Sequence, residues 1–137
     1  MSGVAIVGAL LREHAALGAV VPADRIKAGR LPDSVALPAV LLRTISSVEW
    51  QALTREAVVP TTDRVAVMVR AATYREQQAI MKLFVAACAG RTGTIAGFAN
   101  VAVLTAGGGP DVAGPANSFE QTQDFRVSFD APTGEQS

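Results

Sequence analysis

Two segments in which apolar and polar residues alternate limit the fold more than any other feature of this sequence. They are residues 63–71, DRVAVMVRA, and residues 119–130, FEQTQDFRVSFD. Side chains on a β-strand point alternately to its two faces, so each segment predicts a strand with one buried and one solvent-facing side. The chain is therefore expected to contain a sheet that is covered on one face only. The predicted wet face of the last strand carries Glu120, Asp124, Arg126 and Asp130.

Two other segments have helical periodicity. Residues 3–17 carry apolar side chains at three- and four-residue spacing and are followed by Gly18, a common helix terminator. The second segment begins with Thr73 and Glu76, the T-x-x-E pattern of a capping box, in which each side chain bonds a free backbone N–H at the helix start. It continues with apolar residues at helical spacing and stops at Gly90. We expect one helix from each segment.

Shorter patterns assign the remaining elements. Residues 39–46, entered from Pro38, and residues 97–105 predict two further strands. A short extra strand is placed around Arg25 and Ile26. The sequence GRTGTIAG, residues 90–97, which leads into the strand at 97–105, is assigned as a turn.

Two long connections separate these elements. The strands at 39–46 and 63–71 are expected to form a hairpin whose strands extend into the intervening segment, making an arm that projects from the body and carries Trp50. The connection before residue 119, AGGGPDVAGPANS, is rich in glycine and proline. It predicts a flexible loop that is too long for a tight hairpin turn.

The order of the elements predicts an α+β fold. We expect a single, largely antiparallel sheet of four to five strands, with room for mixed pairing, and two helices packed on one face. Residues 1–131 are assigned to a single domain and residues 132–137 to a flexible C-terminal tail. Such a layer exposes its other face and its edge strands. Because exposed edges pair readily with other chains, a homo-oligomer is expected to cover them.

Composition excludes several classes of function. The 137 residues include 12 basic and 12 acidic side chains, so the clustered basic excess of a tight nucleic-acid binder is missing. Cys88 is the only cysteine, which rules out an internal disulfide and any site with two thiolates from one chain. Arg12 and Glu13 interrupt the apolar N-terminus well short of the roughly 20 apolar residues of a membrane span. We expect a soluble cytoplasmic protein without a targeting segment.

No catalytic, cofactor or metal site is predicted. His14 lies on or beside the apolar stripe of the first helix and is interpreted as a packed residue, not as a ligand or base. Cys88 shares a helix face with Met81 and is interpreted as a buried structural thiol. The acidic residues of the last strand are interpreted as a solvated, ion-paired face, and GRTGTIAG lacks the lysine of a phosphate loop. The chain is therefore not expected to be an enzyme.

Three stretches, taken in order, resemble the tail completion or tail terminator family of long-tailed bacteriophages, to which parts of gene transfer agents are similar. DRIKAGRLPDSVALPAVLLRTIS is similar to the family's I-x-x-G-x-L-P…L-P-A run entering the sheet. RVAVMVRAATYREQQAIMKLFVAAC resembles its central strand and following helix, and FEQTQDFRVSFDA resembles its final strand with an aspartate–aromatic–arginine step. The resemblance spans residues 3–131. The GGGPDVAGPAN loop is longer and richer in glycine than the family pattern, and the arm around Trp50 matches no family motif.

The resemblance implies a ring, typically a hexamer, that caps the head-proximal end of the tail tube, stops tube polymerisation and offers a docking surface to the head connector. It implies no cofactor and no bond-making chemistry. The implied partners are further copies of the chain, the tail-tube protein and the head or neck connector. DNA would pass through the lumen without specific binding, and no membrane takes part. The implied location is the tail–neck junction of the virion, after assembly in the host cytoplasm.

Candidate contact residues combine this resemblance with the stiff or exposed segments. A rigid loop from Gly29 to Pro38 is expected at the subunit boundary, the arm at the adjacent subunit or the tube, and the glycine-rich loop at a head or tube protein. Candidate lumen residues are Glu120, Asp124 and Asp130. The candidate contact residues are Gly29, Arg30, Leu31, Pro32, Leu37, Pro38, Trp50, Gly108, Pro110 and Asp111.

Other interpretations remain open on the residues alone. The arm could instead cover an edge of its own sheet, and the glycine-rich loop could be a surface loop without a role. A neck or head-closure protein of the same virion would share the small size and the oligomeric habit but bind the portal side. A small ligand-binding domain would be a monomer or dimer with a pocket near His14.

Overall fold

The computed structural model describes residues 2–54 and 56–132, and the α+β class is as predicted. Residues 133–137, most of the expected tail, lie outside the described residues, and the last strand runs to Pro132. No helix within the described ranges is long and apolar enough to cross a membrane. In chain order the elements are α1 (Ser2–Glu13), α2 (Ala15–Gly18), β1 (Ile26–Ala28), β2 (Ala39–Glu49), β3 (Val58–Ala71), α3 (Tyr74–Cys88), β4 (Thr92–Ile95), β5 (Phe98–Gly108), β6 (Val112–Ala113) and β7 (Phe119–Pro132).

One seven-stranded sheet carries the fold, in the order β1-β2-β3-β7-β5-β4, with β6 paired to β7. Only β1 and β2 are parallel, so the sheet is largely antiparallel with one mixed edge, as expected. The extra strand expected around Arg25 and Ile26 is β1. Four to five strands were too few, because β4 and β6 are only four and two residues long. Strands this short owe their conformation to pairing with a neighbour and leave little periodicity in the sequence.

The assignment of GRTGTIAG as a turn is wrong for most of its length, since β4 occupies residues Thr92–Ile95 within it. The chain reverses its direction directly after β4, at Ala96 and Gly97, between the paired residues Ile95 and Phe98. Both turn residues have positive φ, 53° and 82°, as a two-residue hairpin turn of the favoured hand requires. Glycine takes that backbone freely, but alanine takes it rarely, which explains why the sequence gave no clear turn signal there.

The helix expected over residues 3–17 is interrupted at His14. Its backbone is extended (φ −79°, ψ 111°), and its Nδ1 accepts a hydrogen bond from the Leu17 N–H at 3.3 Å. The imidazole therefore caps the single turn α2, which continues at an angle after α1 ends at Glu13. The described part of the chain thus has three α-helices and not two, although only α1 and α3 are longer than one turn.

The hydrophobic core lies between the sheet and the two long helices. Val65, Val67 and Val69 of β3 are fully buried in it and face α1 and α3, as the alternation predicted. Phe125, Val127 and Phe129 of β7 continue the same layer. Burying such side chains supplies about 25 cal/mol per Å² of apolar surface, the main favourable term in folding.

The second helix begins and ends as predicted. The Thr73 hydroxyl accepts a hydrogen bond from the Glu76 N–H at 3.2 Å, and the Glu76 carboxylate accepts one from the Ala72 N–H at 3.3 Å. The first bond is that of the expected capping box, whereas the second reaches the N–H of the residue before the N-cap Thr73. Cys88 at the other end is fully buried, and burial raises the pKa of its thiol to about 12, so it is an inert core residue.

The hairpin of β2 and β3 extends as expected, to Glu49 on one strand and from Val58 on the other. It is not a freestanding arm, however. The distal half of β3 also pairs with β7, as far as the pair Val58–Pro132. Only the turn after Trp50 leaves the sheet, and its residue 55 lies outside the described ranges.

A buried carboxylate joins the N-terminus of α1 to the sheet. Asp63 of β3 is fully buried, and its Oδ2 accepts a hydrogen bond from the Gly3 N–H at 3.0 Å. Its Oδ1 accepts the hydroxyl of Ser47 on β2. A carboxylate at a helix N-terminus satisfies a free N–H and interacts favourably with the helix dipole. Asp63 therefore sets where α1 crosses β2 and β3.

This contact leaves no room for a side chain at Gly3. A Cβ there would lie 2.7 Å from both Cβ and Oδ2 of Asp63. We expect Gly3→Ala to lower the free energy of unfolding by about 1–3 kcal/mol, the usual cost of overpacking. Gly18→Ala is the matched control, because nothing lies within 4 Å of its added Cβ. Urea unfolding followed by circular dichroism measures both, and equal midpoints for the two variants would contradict the close approach.

Candidate assembly surfaces

Exposed surfaces, and not a reactive cluster, are the candidate sites. No three His, Cys, Asp or Glu side chains within residues 2–54 and 56–132 are placed to hold a metal ion. The pocket that a ligand-binding domain would need near His14 is present as a cleft of about 420 Å³, whose walls include Glu13, Arg91 and Leu10. Two of its polar groups have structural roles, since His14 caps α2 and the Arg91 Nε donates to the Ala87 carbonyl at 3.2 Å.

The proline-rich segment from Gly29 to Pro38 is tied to the subunit along its length. The Gly29 N–H donates to the Leu42 carbonyl at 2.9 Å, and Arg70 Nη1 donates to the Pro32 carbonyl at 3.0 Å. Arg25 Nη1 holds the far end through the Leu37 carbonyl at 3.3 Å. The Leu37–Pro38 peptide bond is cis. These bonds hold the backbone in one place.

Only part of that segment can touch another molecule. Leu31 is 7% exposed and Pro38 is buried, so both pack within their own subunit. Gly29, Arg30 and Pro32 are exposed. Asp33, Ser34 and Ala36 are exposed as well, and Leu37 is half-buried. A contact made by this segment would therefore exclude Leu31 and Pro38.

Five exposed apolar side chains lie on the β2–β3 hairpin and its turn, and we call them the tip patch. Trp50 is its centre: the ring is 63% exposed, its Nε1 donates to Thr62 Oγ1 at 3.2 Å, and its backbone N–H donates to the Pro60 carbonyl at 2.8 Å. Large apolar groups clustered on a surface mark interaction sites more often than single ones do. The tip patch consists of Ile45, Val48, Trp50, Leu53 and Val58.

The glycine-rich loop is fastened to α3 and β7 by glutamine side chains. Gln77 is fully buried, and its Nε2 donates to Asp111 Oδ1 at 2.8 Å and to Gln121 Oε1 at 3.0 Å. Gln121 Nε2 donates to the Gly109 carbonyl at 2.9 Å, and Gln123 Nε2 donates to the Gly107 carbonyl at 3.2 Å. Sequence reasoning missed these residues. The available signal was Gln77, a polar residue in the apolar stripe three positions before Ile80.

The tip of this loop is paired backbone as well. β6 lies beside Phe119 and Glu120 of β7, and the Gly109 N–H donates to the Thr122 carbonyl at 2.8 Å. Gly108, Pro110 and Asp111 were the candidate contacts here. Gly108 and Asp111 are exposed, yet the carboxylate of Asp111 is already engaged with Gln77. The expected fully flexible loop is therefore instead a short strand with fastened ends.

The sheet face opposite the helices carries the acidic residues proposed for the lumen. The Glu120 carboxylate accepts a hydrogen bond from Arg70 Nε at 2.6 Å, and the Asp124 carboxylate accepts one from Arg64 Nε at 2.9 Å. Asp130 accepts the amide of Asn100 at 2.7 Å. All three acids share one face, as the alternation predicted, and that face is ion-paired, as expected. The arginines that pair with Glu120 and Asp124 come from the neighbouring strand β3, and not from Arg126 on β7 itself. Which residues of two strands lie opposite each other depends on their register, which the sequence alone did not predict.

The sequence matches the family model for tail completion protein gp17 over residues 5–130. Comparison with curated proteins gives no match. Among solved structures, the fold is similar to a chain of the "Virion of native gene transfer agent (GTA) particle". The TM-score is 0.67 at 14% sequence identity, covering 95% of this chain and 97% of that chain. At this identity, the likeness shows that the fold is shared.

The one-sided sheet, its exposed patches and the family match define a phage tail structural protein. The chain belongs to the tail completion protein gp17 family. The family resemblance inferred from the sequence is thus confirmed. The family model matches residues 5–130, close to the residues 3–131 assigned to the resemblance. A family of structural proteins is not a family of enzymes.

Gln77 should hold the glycine-rich loop in place. We expect Gln77→Ala to lower the free energy of unfolding by about 1–3 kcal/mol, because a buried side chain is removed and Asp111 and Gln121 each lose one hydrogen bond. Hydrogen exchange of the Gly109 amide should accelerate. Gln78→Ala is the control: Gln78 is half-buried and makes one longer bond, 3.4 Å, to Gln121. Equal effects of the two substitutions on loop exchange would contradict the fastening.

Tyr74 reports on the same loop through its titration. A hydrogen bond to Asp111, and secondly the charge of that carboxylate, raise the pKa of Tyr74 above its usual 10.0. Because a raised pKa favours the neutral phenol, the contact is complete below pH 10 and is lost as the pH rises through the shifted value. Asp111→Ala should lower the pKa of Tyr74. The chain has a single tyrosine, so ultraviolet titration of tyrosinate follows this residue alone. Asp130→Asn, on another part of the sheet, should leave the curve unchanged.

Proposed function

We propose that the protein forms a ring at the head-proximal end of the tail tube, stops tube polymerisation there and presents a docking surface to the head or neck connector. The family match over residues 5–130 is the observation that carries this proposal. The fold shared with a chain of a gene transfer agent virion supports a place in a virion. We place it at the tail–neck junction, reached after assembly in the host cytoplasm, with a ring of six subunits as the family resemblance implies.

The shape of the subunit supports assembly with copies of itself. Its sheet is covered by helices on one face only, and apolar side chains at the tip patch remain exposed. Such surfaces are stable in water when a neighbour covers them. The proposed boundary contacts are the exposed residues of the Gly29–Pro38 segment and the tip patch around Trp50. The glycine-rich loop is the proposed contact with a head or tube protein.

The open sheet face suits a lumen through which DNA passes without specific binding. Glu120 and Asp124 are each paired with an arginine, and the chain has equal numbers of acidic and basic residues. Phosphate binding depends on unneutralised lysine and arginine, and the carboxylates of Asp124 and Glu120 neutralise Arg64 and Arg70 on this face, whereas Arg126 on the same face is exposed. The proposed lumen groups are Glu120, Asp124 and Asp130.

Two other functions compete with this one. A neck or head-closure protein would use the same open sheet to bind the portal side of the junction instead of the tube. A small ligand-binding domain is favoured by one observation, the 420 Å³ cleft beside His14. A ligand-binding domain would be a monomer or dimer, and His14→Ala would change its affinity for the ligand.

Tube polymerisation tests the proposal directly. Purified tail-tube protein would be polymerised with and without this protein, and tube lengths and ends would be measured by negative-stain imaging. A terminator shortens the tubes and leaves a ring on one end. A head-closure protein leaves the tubes unchanged and binds portal-bearing heads instead. If neither tubes nor heads bind the protein, the proposal is wrong.

Trp50 should matter for the ring and not for the subunit. We expect Trp50→Ala to dissolve rings, because the largest side chain of the tip patch is removed. The free energy of unfolding should stay within about 0.5 kcal/mol of the wild-type value, as is usual for an exposed side chain. The matched control is Leu104→Ala, another exposed apolar residue, on β5 away from the tip patch. Light scattering gives the mass. A Trp50→Ala ring of unchanged mass would exclude the tip patch as a subunit contact.

A further inference from the structure

The sheet has two free edges that are not alike. On one side, β1 covers only residues Val40–Leu42 of β2, so the outer backbone of β2 from Arg43 to Glu49 has no strand partner in the described part of the chain. On the other side, the four-residue strand β4 ends the sheet. Unpaired strand edges present rows of N–H and C=O groups that can receive another strand.

The two free edges lie at the same level of the sheet. Following the register across the strands, the residues aligned in one row are Val48, Thr62, Ser128, Ala102 and Thr92. The first belongs to the free part of β2 and the last to β4. A strand from a second copy that is placed beside Val48 of β2 would therefore lie in the same row as the first copy's own β4.

The two edges also run in the same direction. Between β2 and β4 there are four antiparallel pairings, through β3, β7 and β5, so β2 and β4 point the same way. The two edges are complementary in shape. On one side of the sheet, β1 lies beside the start of β2, at Val40–Leu42; on the other side, β4 lies level with the end of β2, at Val48. A β4 placed beside the free part of β2 would follow in line with β1 without displacing it.

Charge is complementary at the same place. Glu49, at the end of the free part of β2, is exposed and lies on the helix side of the sheet, like its buried partner Thr61. Arg91, immediately before β4, is also exposed on that side, where its Nε reaches the Ala87 carbonyl of α3. With the edges level, the two side chains become diagonal neighbours across the new strand pair, where opposite charges attract.

We infer that β4 of one copy of the chain adds, as a parallel strand, to the end of the free edge of β2 in the next copy, with Thr92 beside Val48 and Gly93 beside Glu49, so that the sheet continues from subunit to subunit. The contact joins two different edges, so it is head-to-tail. A head-to-tail contact builds a ring when the rotation between successive subunits closes, and an open filament when it does not. This inference rests on the proposed ring and adds a contact between strand edges to the boundary contacts proposed above.

A pair of cysteines tests the contact. In the variant Val48→Cys with Thr92→Cys, the two thiols of one chain are separated by four strand spacings, about 19 Å, and cannot form a bond with each other. Both sites are exposed, so folding should be preserved. Cys88 is buried, with a thiol pKa of about 12, and stays out of the reaction. Mild oxidation followed by a denaturing, non-reducing gel would show covalent dimers, trimers and larger products up to the size of the ring.

The single variants Val48→Cys and Thr92→Cys are the controls, and each should remain monomeric on the gel. Dimers from Val48→Cys alone, in the yield of the pair, would mean that two β2 edges meet symmetrically and would overturn the inference. Absence of products from the pair, in a protein that still shortens tail tubes, would also overturn it while leaving the proposed function standing. A protein that neither shortens tubes nor forms cross-linked products would contradict both the inference and the proposed function.

Discussion

Burial of a single face of the sheet is the constraint on which the rest of the structure depends. Val65, Val67 and Val69 face the helices, and the buried carboxylate of Asp63 fixes the start of α1 above them. The opposite face of the same strands carries arginine–carboxylate pairs. All of the large apolar layer is therefore on one side, and the other face, the strand edges and the tip patch are left for molecules outside the subunit. A fold with this asymmetry is suited to assembly more than to chemistry.

The surfaces offered to partners are largely ordered before any partner arrives. Side chains from the sheet and helices donate to backbone carbonyls of the exposed segments: Arg70 to Pro32, Arg25 to Leu37, and Gln121 to Gly109. Ordering a loop on binding costs conformational entropy, so a loop already held by its own subunit loses less when it makes a contact. Proline- and glycine-rich segments held in this way are suited to the contacts proposed for them.

Strong periodic signals in the sequence predicted the frame of the fold, and non-local contacts set the rest. The alternation in β3 and β7 and the capping box of α3 specify their own conformation, so the sheet, its buried face and the best-marked helix were predicted correctly. β4 and β6 exist because neighbours pair with them, and the break at His14 depends on an imidazole capping a turn. The glutamine fastening joins Gln77 to Asp111 and Gln121, residues far apart in the chain. Local patterns do not encode such partners, whereas the order of short motifs did indicate the family.

The account depends on the subunit being one part of a closed assembly. The most direct measurement is the mass of the purified 14.2 kDa chain, alone and mixed with tail-tube protein, by light scattering on a sizing column with imaging of the peak. The account predicts a ring with an open centre and about six times the mass of one chain, either alone or on the end of a tube, because head-to-tail contacts that close give a fixed number of subunits. A monomer that stays a monomer beside tube protein would contradict it.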